Sequence, residues 1–579
     1  MKYIYKMNSN FVSAGAEAPA SMNAMMTGSN PKLQQVKYTN ILPEGKLGNY
    51  KQNDRVDFMP NPSTAPYFDG AQSYLNIQVR NTSTFDDGNS ANPSTCPPPL
   101  CFPANMGVNA AINRCLIRAK DNSQVIEDLE AYNLLNSVKN AYTQDSDVFK
   151  TLGRISGVAA RTPAPMNQTA DNLAVNYFLP NGEYESATSN AITGGNQGVT
   201  AQFCVPVEAG LMSAFAGQHH VVPNLDVPLH LQFFLEKNNV ALQCLYHKFY
   251  RNTTINGTAV VDEFADDPFD DITVVKTGTD LLVPVATCNT DLEIDGKPYT
   301  PEMCAWRVGM AITDGTDTRI ISAVKVGQGA GFNQIEIAVD VAFTAADGNL
   351  NIKLAAATRE YTIDKIELKL LLTIPDDATM RMIRSQMARG ISFASYQLYK
   401  QSTAQGLQNA VIDIPEALTK VMSMIAVPID QNNLETLDER NQYVHCRAKA
   451  NNPVNYQWQI QNTLIPNLSV NTNLVTNNNS DNAIYFNQAV MALRHFLNVR
   501  ALADSPKANK TTDIDIELPF FYPISLSPKG QSFNLINSAP QLRLNNNGLT
   551  GNITPILFHI FAIHTRILKS SDMGASIDF

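Results

Sequence analysis

The chain has 579 residues, of which 44% are hydrophobic, and it carries a formal net charge of -10. This composition supports a large core and excludes global disorder, while the acidic balance argues against direct coating of nucleic acid. No segment reaches the roughly 18 apolar residues that cross a bilayer, and the first residues lack the apolar run of a signal peptide. We therefore expect a protein that is made and used inside a cell, or released by lysis.

The N-terminal region is predicted to be an arm over residues 1–60. It is rich in Ser, Asn, Ala, Met and Gly and shows no clear periodicity, which is typical of a segment that orders against a neighbour. The next segment, "YLNIQVR", alternates and places Leu75, Ile77 and Val79 on one face, so it predicts a half-buried strand. Residues 81–109 follow as a loop rich in Pro, Asn, Ser and Gly.

This loop contains two closely spaced cysteines, Cys96 and Cys101, in "CPPPLC". An extended polyproline run rises about 3.1 Å per residue and would hold the two Cα atoms roughly 15 Å apart, whereas a disulfide needs less than about 7 Å. A turn could bring them together, but the prolines disfavour it, and no further zinc ligands lie nearby in sequence. We predict free loop thiols, with a functional pair as the alternative.

The following segment is predicted to be mostly β-structure. "INRCLIRAKDN" indicates a strand that ends near Asp121, and "VIEDLEAYNLLNSVKNAY" has apolar residues at helical spacing, so it predicts a short helix, or a strand and a helix. From residue 201, short apolar runs are interrupted by Pro and Gly. Several short strands with frequent turn signals indicate an antiparallel sandwich or barrel.

Residues 250–358 differ from this pattern and are interpreted as a β-rich insertion. The insertion precedes a predicted strand, Tyr361–Ile374, whose apolar and charged residues alternate. Residues 376–390 are predicted to be a helical linker, because Asp376 or Asp377 can cap the helix and Gly390 can end it.

The pattern then restarts. "ISFASYQLYKQ" predicts an opening strand, "NAIYFNQAVMALRHFL" a helix, and "NITPILFHIFAIHTRIL" a long closing strand. Both halves also carry a Ser and then Gly-Gln before a further strand: Ser213, Gly217, Gln218, Ser527, Gly530 and Gln531. The repeated order predicts two similar β bodies in tandem, over residues 61–375 and 391–568, with a tail over residues 569–579.

Candidate sites for chemistry are weak. His219 and His220 are neighbours on a predicted strand and point to opposite faces, so they do not form a metal site together. The acidic "DEFADDPFDD", residues 262–271, is interpreted as a solvated loop, with calcium binding as the alternative. "GQGAG", residues 327–331, precedes a strand-like segment rather than a helix and predicts a hairpin turn.

Enzymatic motifs are also missing from the sequence. It has no Gly-x-Ser-x-Gly elbow, and Trp306 and Trp458 are its only tryptophans, so a platform for stacking sugars is poorly supplied. A pair of catalytic carboxylates cannot be judged from sequence spacing. We predict no catalytic, cofactor-binding or metal-binding residues and no cofactor.

The tandem order resembles the double jelly-roll major capsid proteins of icosahedral double-stranded DNA viruses, of the polinton-like virus and virophage type. The segments that carry the resemblance are "VIEDLEAYNLL", "YTIDKIELKLLLTIPDD", "YQWQIQNTLIPN" and the corner before "PKGQSFNL", within residues 70–249 and 360–568. The resemblance implies an all-β fold of two eight-stranded antiparallel jelly rolls with short helices, in which the insertion 250–358 forms an outward tower.

The resemblance also implies a function. Three chains would form a pseudo-hexagonal homotrimeric capsomer that tiles the virion shell, assembled inside the host cell and without enzymatic activity. Partners would be further copies, penton and minor capsid proteins, and an internal membrane or its proteins through the N-terminal arm, with no sequence-specific nucleic acid. The C-terminal tail would help to tie neighbours together. The alternative is a secreted or spike-like β-sandwich that binds or cleaves glycans.

Overall fold

The structure is a computed structural model. It describes these residues: 33–86, 88, 90–102, 106–121, 123–143, 154–156, 183–184, 191–193, 200–212, 221–244, 247–255, 258–266, 269–283, 306–328, 334–403, 409–415, 418–430, 455–471, 482–493, 521–526, 534–536, 538, 540–545, 556–571 and 574–578.

The described strands fall into three groups along the chain. The first group is β1 (Leu33–Ile41), β2 (Arg55–Phe58), β3 (Phe68–Asn81), β4 (Leu100–Cys101), β5 (Ile112–Ala119), β6 (Val125–Leu129), β7 (Glu183–Tyr184), β8 (Ala191–Thr193), β9 (Thr200–Pro206), β10 (Val221–Val222), β11 (Leu229–Leu235) and β12 (Gln243–Cys244). The second group is β13 (His247–Ile255), β14 (Thr258–Asp266), β15 (Ile272–Thr277), β16 (Asp280–Val283), β17 (Ala311–Thr313), β18 (Thr318–Gln328), β19 (Gln334–Val339), β20 (Gly348–Leu354) and β21 (Tyr361–Pro375). The third group is β22 (Ile391–Ser402), β23 (Asn409–Asp413), β24 (Val421–Asp430), β25 (Asn455–Ile460), β26 (Thr463–Asn471), β27 (Tyr522–Ser525), β28 (Gln541–Asn545), β29 (Ile556–Ser571) and β30 (Gly574–Asp578).

Helices are short and few in the described part of the chain. They are a 3-10 helix (Gly107–Ala111), α1 (Tyr132–Thr143), α2 (Arg154–Ser156), α3 (Asn238–Ala241), α4 (Asp377–Met387) and α5 (Asn482–Leu493).

The first sandwich consists of two antiparallel sheets. One has the order β1-β21-β3-β10, with β9 also paired to β3, and the other has the order β2-β11-β5-β6. If its eight strand positions are numbered along the chain, with β9 and β10 sharing the sixth, these orders are 1-8-3-6 and 2-7-4-5. This is the strand order of a jelly roll.

The second sandwich repeats this order. Its sheets are β22-β29-β24-β27 and β23-β28-β25-β26, which are again 1-8-3-6 and 2-7-4-5. The two bodies therefore share one topology, and the fold is all-β with two tandem jelly rolls, as the sequence predicted. The closing strands β21 and β29 occupy the eighth position of each body, which explains why the sequence contains two such strands about two hundred residues apart.

Between the seventh and eighth positions of the first sandwich lies a closed barrel. Its strands follow the order β17-β20-β15-β16-β19-β18, and β18 also pairs with β17, so the sheet closes on itself. The short strands β8 and β7 extend the sheet from β18. The strand β15 alternates buried and exposed residues along its length, as expected when one face of a strand lines a core. The barrel has a hydrophobic cluster of its own, which includes Trp306, Ile312 and Ile337.

The helix predicted before the second sandwich is present as α4. Of the two predicted candidates for its cap, the structure selects Asp376, whose carboxylate accepts a hydrogen bond from the Thr379 backbone N–H at 2.8 Å. Gly390 follows the helix at φ +105, a backbone conformation that side-chain-bearing residues rarely adopt. The second alternative for "VIEDLEAYNLL" is also confirmed, since β6 and then α1 occupy it.

The predicted arm and tail were assigned too many residues. Although residues 1–60 were predicted to be an arm, β1 pairs with the closing strand β21 along Leu33–Ile41, and β2 pairs with β11. The predicted tail over residues 569–579 begins inside β29, and its strand β30 pairs with β29. The strands β1 and β30 are mostly polar and are held in the sheet by pairing with a long apolar strand, whereas β2 also buries Val56 and Phe58 in the core.

The barrel core gives the first testable prediction. Trp306 is fully buried, so Trp306→Ala should destabilise the barrel by about 3–5 kcal/mol through lost packing and a cavity. Because the barrel has a separate cluster, hydrogen exchange followed by mass spectrometry should show lost protection in β15–β20 and unchanged protection in β29. The control Val275→Ala, at a partly exposed site on β15, should change stability by less than about 0.5 kcal/mol. Equal loss of protection in β29 would contradict the prediction.

Candidate functional site

Within the described residues, no group of three or more His, Cys, Asp or Glu side chains is placed to hold a metal ion, and no helix is long and apolar enough to span a membrane. His219 and His220 lie outside the described residues. Trp306 and Trp458 are both fully buried in cores.

Two loop predictions need comment. The acidic segment was predicted to be a loop, but its first part, including Asp262 and Glu263, lies in β14, which pairs with β13 along its whole length. Cys96 is a free thiol, as predicted, but it is buried in the barrel cluster, and burial raises its pKa to about 12. After "GQGAG" the chain enters strand β19, as predicted, and the turn itself, at residues 329–333, is outside the described part.

A buried polar site lies at the junction between the two sandwiches and is centred on Glu127. This residue lies on β6 of the first sandwich, and its side chain is fully buried. Its carboxylate accepts hydrogen bonds from the backbone N–H groups of Gly210 at 3.1 Å and Leu211 at 2.8 Å. A third bond comes from the hydroxyl of Ser395, on β22 of the second sandwich, at 2.7 Å. One buried carboxylate therefore joins both bodies.

A cation of the second sandwich complements this carboxylate. Arg566 on β29 is almost fully buried and donates from Nη1 to the backbone carbonyl of Ile126, at 2.7 Å. Its Nε donates to Nε2 of His564 at 3.4 Å. The guanidinium thus bonds to the strand that carries Glu127, and its charge lowers the cost of burying that carboxylate.

Two close approaches complete the contact between β22 and the first sandwich. The Tyr396 hydroxyl donates to the backbone carbonyl of Glu130 at 2.9 Å. A Cβ added to Gly210 would lie 1.7 Å from the carbonyl oxygen of Ala394, so a side chain at this position cannot be accommodated without moving the two backbones apart.

Asp226 forms a second connection. Its carboxylate accepts hydrogen bonds from the Tyr67 hydroxyl at 2.9 Å and from Arg384 of the linker helix α4 at 3.1 Å. Its backbone carbonyl accepts a bond from the hydroxyl of Ser570 on β29, at 3.2 Å. Asp226 therefore connects the first sandwich to both the linker helix and the second sandwich through hydrogen bonds.

Hydrophobic packing continues across the junction. The cluster that forms the core of the first sandwich also includes buried residues of the second: Ile391, Phe393, Tyr396, Ile425, Val427, Ile429, Phe561 and Ile563. The second sandwich keeps another cluster inside, around Trp458 and Phe558. The two jelly rolls thus share a core across their contact and are not linked by a tether alone.

Burial shifts the ionisation of these groups. It raises the pKa of Glu127, and the Leu211 N–H, the Ser395 hydroxyl and the charge of Arg566 oppose that rise. Burial lowers the pKa of His564 to about 3, and the Arg566 charge acts in the same direction. Burial also lowers the pKa of His559 to about 3, with a smaller effect of Lys400. Both histidines are therefore neutral in the folded protein at neutral pH.

Sequence reasoning did not identify this junction. In "VIEDL" two adjacent acidic residues follow two apolar ones, and nothing in the segment shows that Glu127 is buried while Asp128 is partly exposed. Side chains alternate in direction along β6, so Ile126 and Glu127 lie on opposite faces, and both faces of this strand are buried.

No protein-family model matches the sequence, and no curated protein matches it. Among solved structures, the chain is similar to the Faustovirus major capsid protein, with 9% identity, a TM-score of 0.47 and coverage of 94% of this chain and 92% of that one. It is also similar to a chain of the Sputnik virophage, with 11% identity, a TM-score of 0.43 and coverage of 96% and 90%. For the mavirus major capsid protein, the identity is 10%, the TM-score 0.35 and the coverage 98% and 96%. The fold assignment rests on the strand order described above.

The junction gives the second prediction. Glu127→Ala removes the acceptor for three buried donors and leaves Arg566 without its complementary charge, so it should lower the free energy of unfolding by about 3–5 kcal/mol. Ser395→Ala removes one bond to the carboxylate and should cost about 1.5–3 kcal/mol. Urea unfolding of each variant measures both values. A loss below about 1 kcal/mol for Glu127→Ala would show that the buried carboxylate does not stabilise the junction.

The buried histidines give the third prediction. Their folded pKa of about 3 lies below the unfolded value of about 6.5, so the unfolded chain binds more protons between these values. Stability from these groups is therefore complete above about pH 6.5 and falls as the pH decreases, by about 1.4 kcal/mol per unit for each histidine. Urea unfolding between pH 7 and pH 5 should give a smaller slope for His559→Gln/His564→Gln than for the wild type. Equal slopes would contradict the burial of neutral imidazoles.

Proposed function

We propose that the chain is a structural shell protein, the major capsid protein of an icosahedral double-stranded DNA virus, and that it resides in the virion capsid. The observation that carries this proposal is the repeated strand order, 1-8-3-6 and 2-7-4-5, in two sandwiches of one chain that are joined by a buried junction. Jelly rolls of this kind serve as shell and lectin modules. A rigid pair of jelly rolls suits a building block of a shell better than a binding module. Its lateral faces keep a fixed orientation relative to each other, as repeated contacts between copies require.

The assembled unit in this proposal is a homotrimer. Three chains contribute six sandwiches of one topology, which can form a ring with pseudo-hexagonal symmetry, and such units tile a closed shell. Homo-oligomers with closed symmetry are the common outcome for proteins with extensive complementary surfaces. The unit needs neither a catalytic site nor a cofactor.

The barrel is assigned to the outward tower of this unit. It is inserted in one connection of the first sandwich, between β12 and β21, and it has its own closed sheet and its own core. Its closed sheet leaves few free strand edges, which suits an element that protrudes into solvent. The proposed domains are the first jelly roll with its insertion, the helical linker and the second jelly roll. The first jelly roll begins at β1 and includes β2.

Further partners are part of the proposal. Penton and minor capsid proteins would contact the trimers, and the residues before β1 would reach an internal membrane or its associated proteins. No sequence-specific contact with nucleic acid is proposed, in keeping with the net charge of -10.

The alternative, a β-sandwich that binds or cleaves glycans, has less support. Both tryptophans are buried and unavailable for stacking on sugars. A cleft of about 350 Å³ lies at the end of β3, but the hydroxyls of Thr82, Ser83 and Thr84 that line it are bonded within the protein. Thr82 bonds to Thr362 at 3.2 Å, and Thr84 bonds to Thr358 at 3.0 Å. Such a cleft offers little to a ligand.

The proposal is tested by the mass of the purified chain in solution. Multi-angle light scattering at micromolar concentration should give about three times 63.5 kDa. A stable monomer under these conditions would contradict the proposed trimer and favour the alternative.

A further inference from the structure

A histidine and an arginine of the second sandwich are bonded to each other where the two sandwiches meet. His564 is fully buried on β29, and Arg566 lies two residues further along the same strand. The Arg566 guanidinium has donors only, so its Nε–H donates and His564 Nε2 accepts, at 3.4 Å. An imidazole nitrogen accepts a hydrogen bond only when it carries no proton. Nε2 of His564 is therefore unprotonated while this bond exists.

The same arginine holds the two sandwiches together. Its Nη1 donates to the backbone carbonyl of Ile126 on β6 at 2.7 Å, and its charge complements the buried carboxylate of Glu127. A proton on His564 Nε2 must break the bond to Arg566 and place a second positive charge beside it. Like charges repel strongly in a site shielded from water. Protonation of His564 and the present position of Arg566 are therefore incompatible.

The charged groups around His564 act in the same sense. On its own strand, the charge of Arg566 lowers the pKa of His564 together with burial. On β6, Glu127 and Asp128 raise the pKa of Arg566, so these carboxylates favour the arginine's charge. The strand β22 places an uncharged serine opposite His564. On the other side of β29, Lys420 immediately precedes β24 and adds a further cation.

We propose that His564 makes the junction sensitive to acid: a proton on its Nε2 displaces Arg566, removes the charge that complements Glu127 and opens the contact between the sandwiches locally. A buried carboxylate that loses its complementary charge is costly to keep out of water. The second sandwich has a further cluster of its own around Trp458, and the barrel has another, so both bodies can remain folded while the junction opens. This property belongs to the single chain, and only its use in loosening a shell rests on the proposed function.

Acid favours the open form because an exposed histidine binds a proton more tightly than His564 does in the closed junction. The pKa of His564 is about 3 when the junction is closed, compared with about 6.5 for an exposed histidine. The contribution of the neutral imidazole to the closed form is complete above pH 6.5 and decreases as the pH falls towards 3. Between pH 7 and pH 5, this one group should raise the equilibrium constant for opening about 25-fold.

Hydrogen exchange of the Gly210 and Leu211 amides measures this opening directly, because both N–H groups donate to Glu127 in the closed junction. Protection factors, corrected for the intrinsic effect of pH on exchange, are compared at pH 7 and pH 5 in the purified full-length protein. The test variant is His564→Gln, whose side-chain oxygen can accept from Arg566 and does not titrate in this range. The opening constant of the wild type should rise about 25-fold more than that of the variant.

The comparison isolates His564 from the other titrating groups. Glu127 has a raised pKa, so its own protonation opposes opening in acid, but it is present in both proteins and its effect cancels. The matched control is His559→Gln, because His559 is also buried on β29 with a pKa of about 3 but lies opposite Lys400. This control should respond to pH at the junction as the wild type does.

Amides of β18 and β19 in the barrel report whether each protein is folded. Their protection should be equal in all proteins at both pH values. His564→Asn supplies a second side chain that does not titrate, and it repeats the comparison if glutamine is not accommodated.

Three results would overturn the inferred switch. They are an equal response in His564→Gln and the wild type, an equal loss of the response in both histidine variants, and a joint loss of protection in the barrel and the junction. The second would mean that the histidines act only on global stability, and the third that acid unfolds the whole chain. None of them bears on the capsid proposal, which the mass of the wild-type protein tests separately.

Discussion

A buried carboxylate must find its hydrogen-bond donors inside the protein, and Glu127 finds them in two different domains. Transfer of an unpaired charge out of water costs far more than a single contact can return. Its three donors come from the loop at Gly210 and Leu211 and from Ser395 across the junction. If the sandwiches separated or rotated, the carboxylate would lose a donor and the Arg566 charge together. The relation between the two jelly rolls is therefore fixed by electrostatics as well as by packing.

The barrel insertion must also pair its hydrogen-bonding groups, in this case the backbone groups at the edges of its sheet. An open sheet inserted in a connection would present free backbone edges to solvent, whereas the pairing of β17 with β18 closes the sheet. The barrel also buries its own apolar side chains, so it does not depend on the sandwich core. A large element can thus be inserted between the seventh and eighth strands without disturbing the junction.

Much of the architecture was predictable from the sequence, for identifiable reasons. The strands β21 and β29 are long and apolar, so their pattern is clear, and Asp376 and Gly390 mark the ends of the linker helix α4. The strand β1 was missed because "LQQVKYTNI" is mostly polar, and only its pairing with β21 reveals it. Glu127 was missed because burial of a carboxylate depends on Ser395 and Arg566, which are hundreds of residues away in sequence. Local patterns cannot report such a contact.

The central claim is that the chain is a rigid pair of equivalent sandwiches built to form a ring. Negative-stain or cryo-electron microscopy of the purified full-length oligomer tests this claim most directly. The account predicts class averages with a hexagonal outline, six sandwich-sized densities in one ring, and three protrusions from the barrels. An elongated three-lobed particle, with the two sandwiches of each chain stacked along the axis, would contradict it.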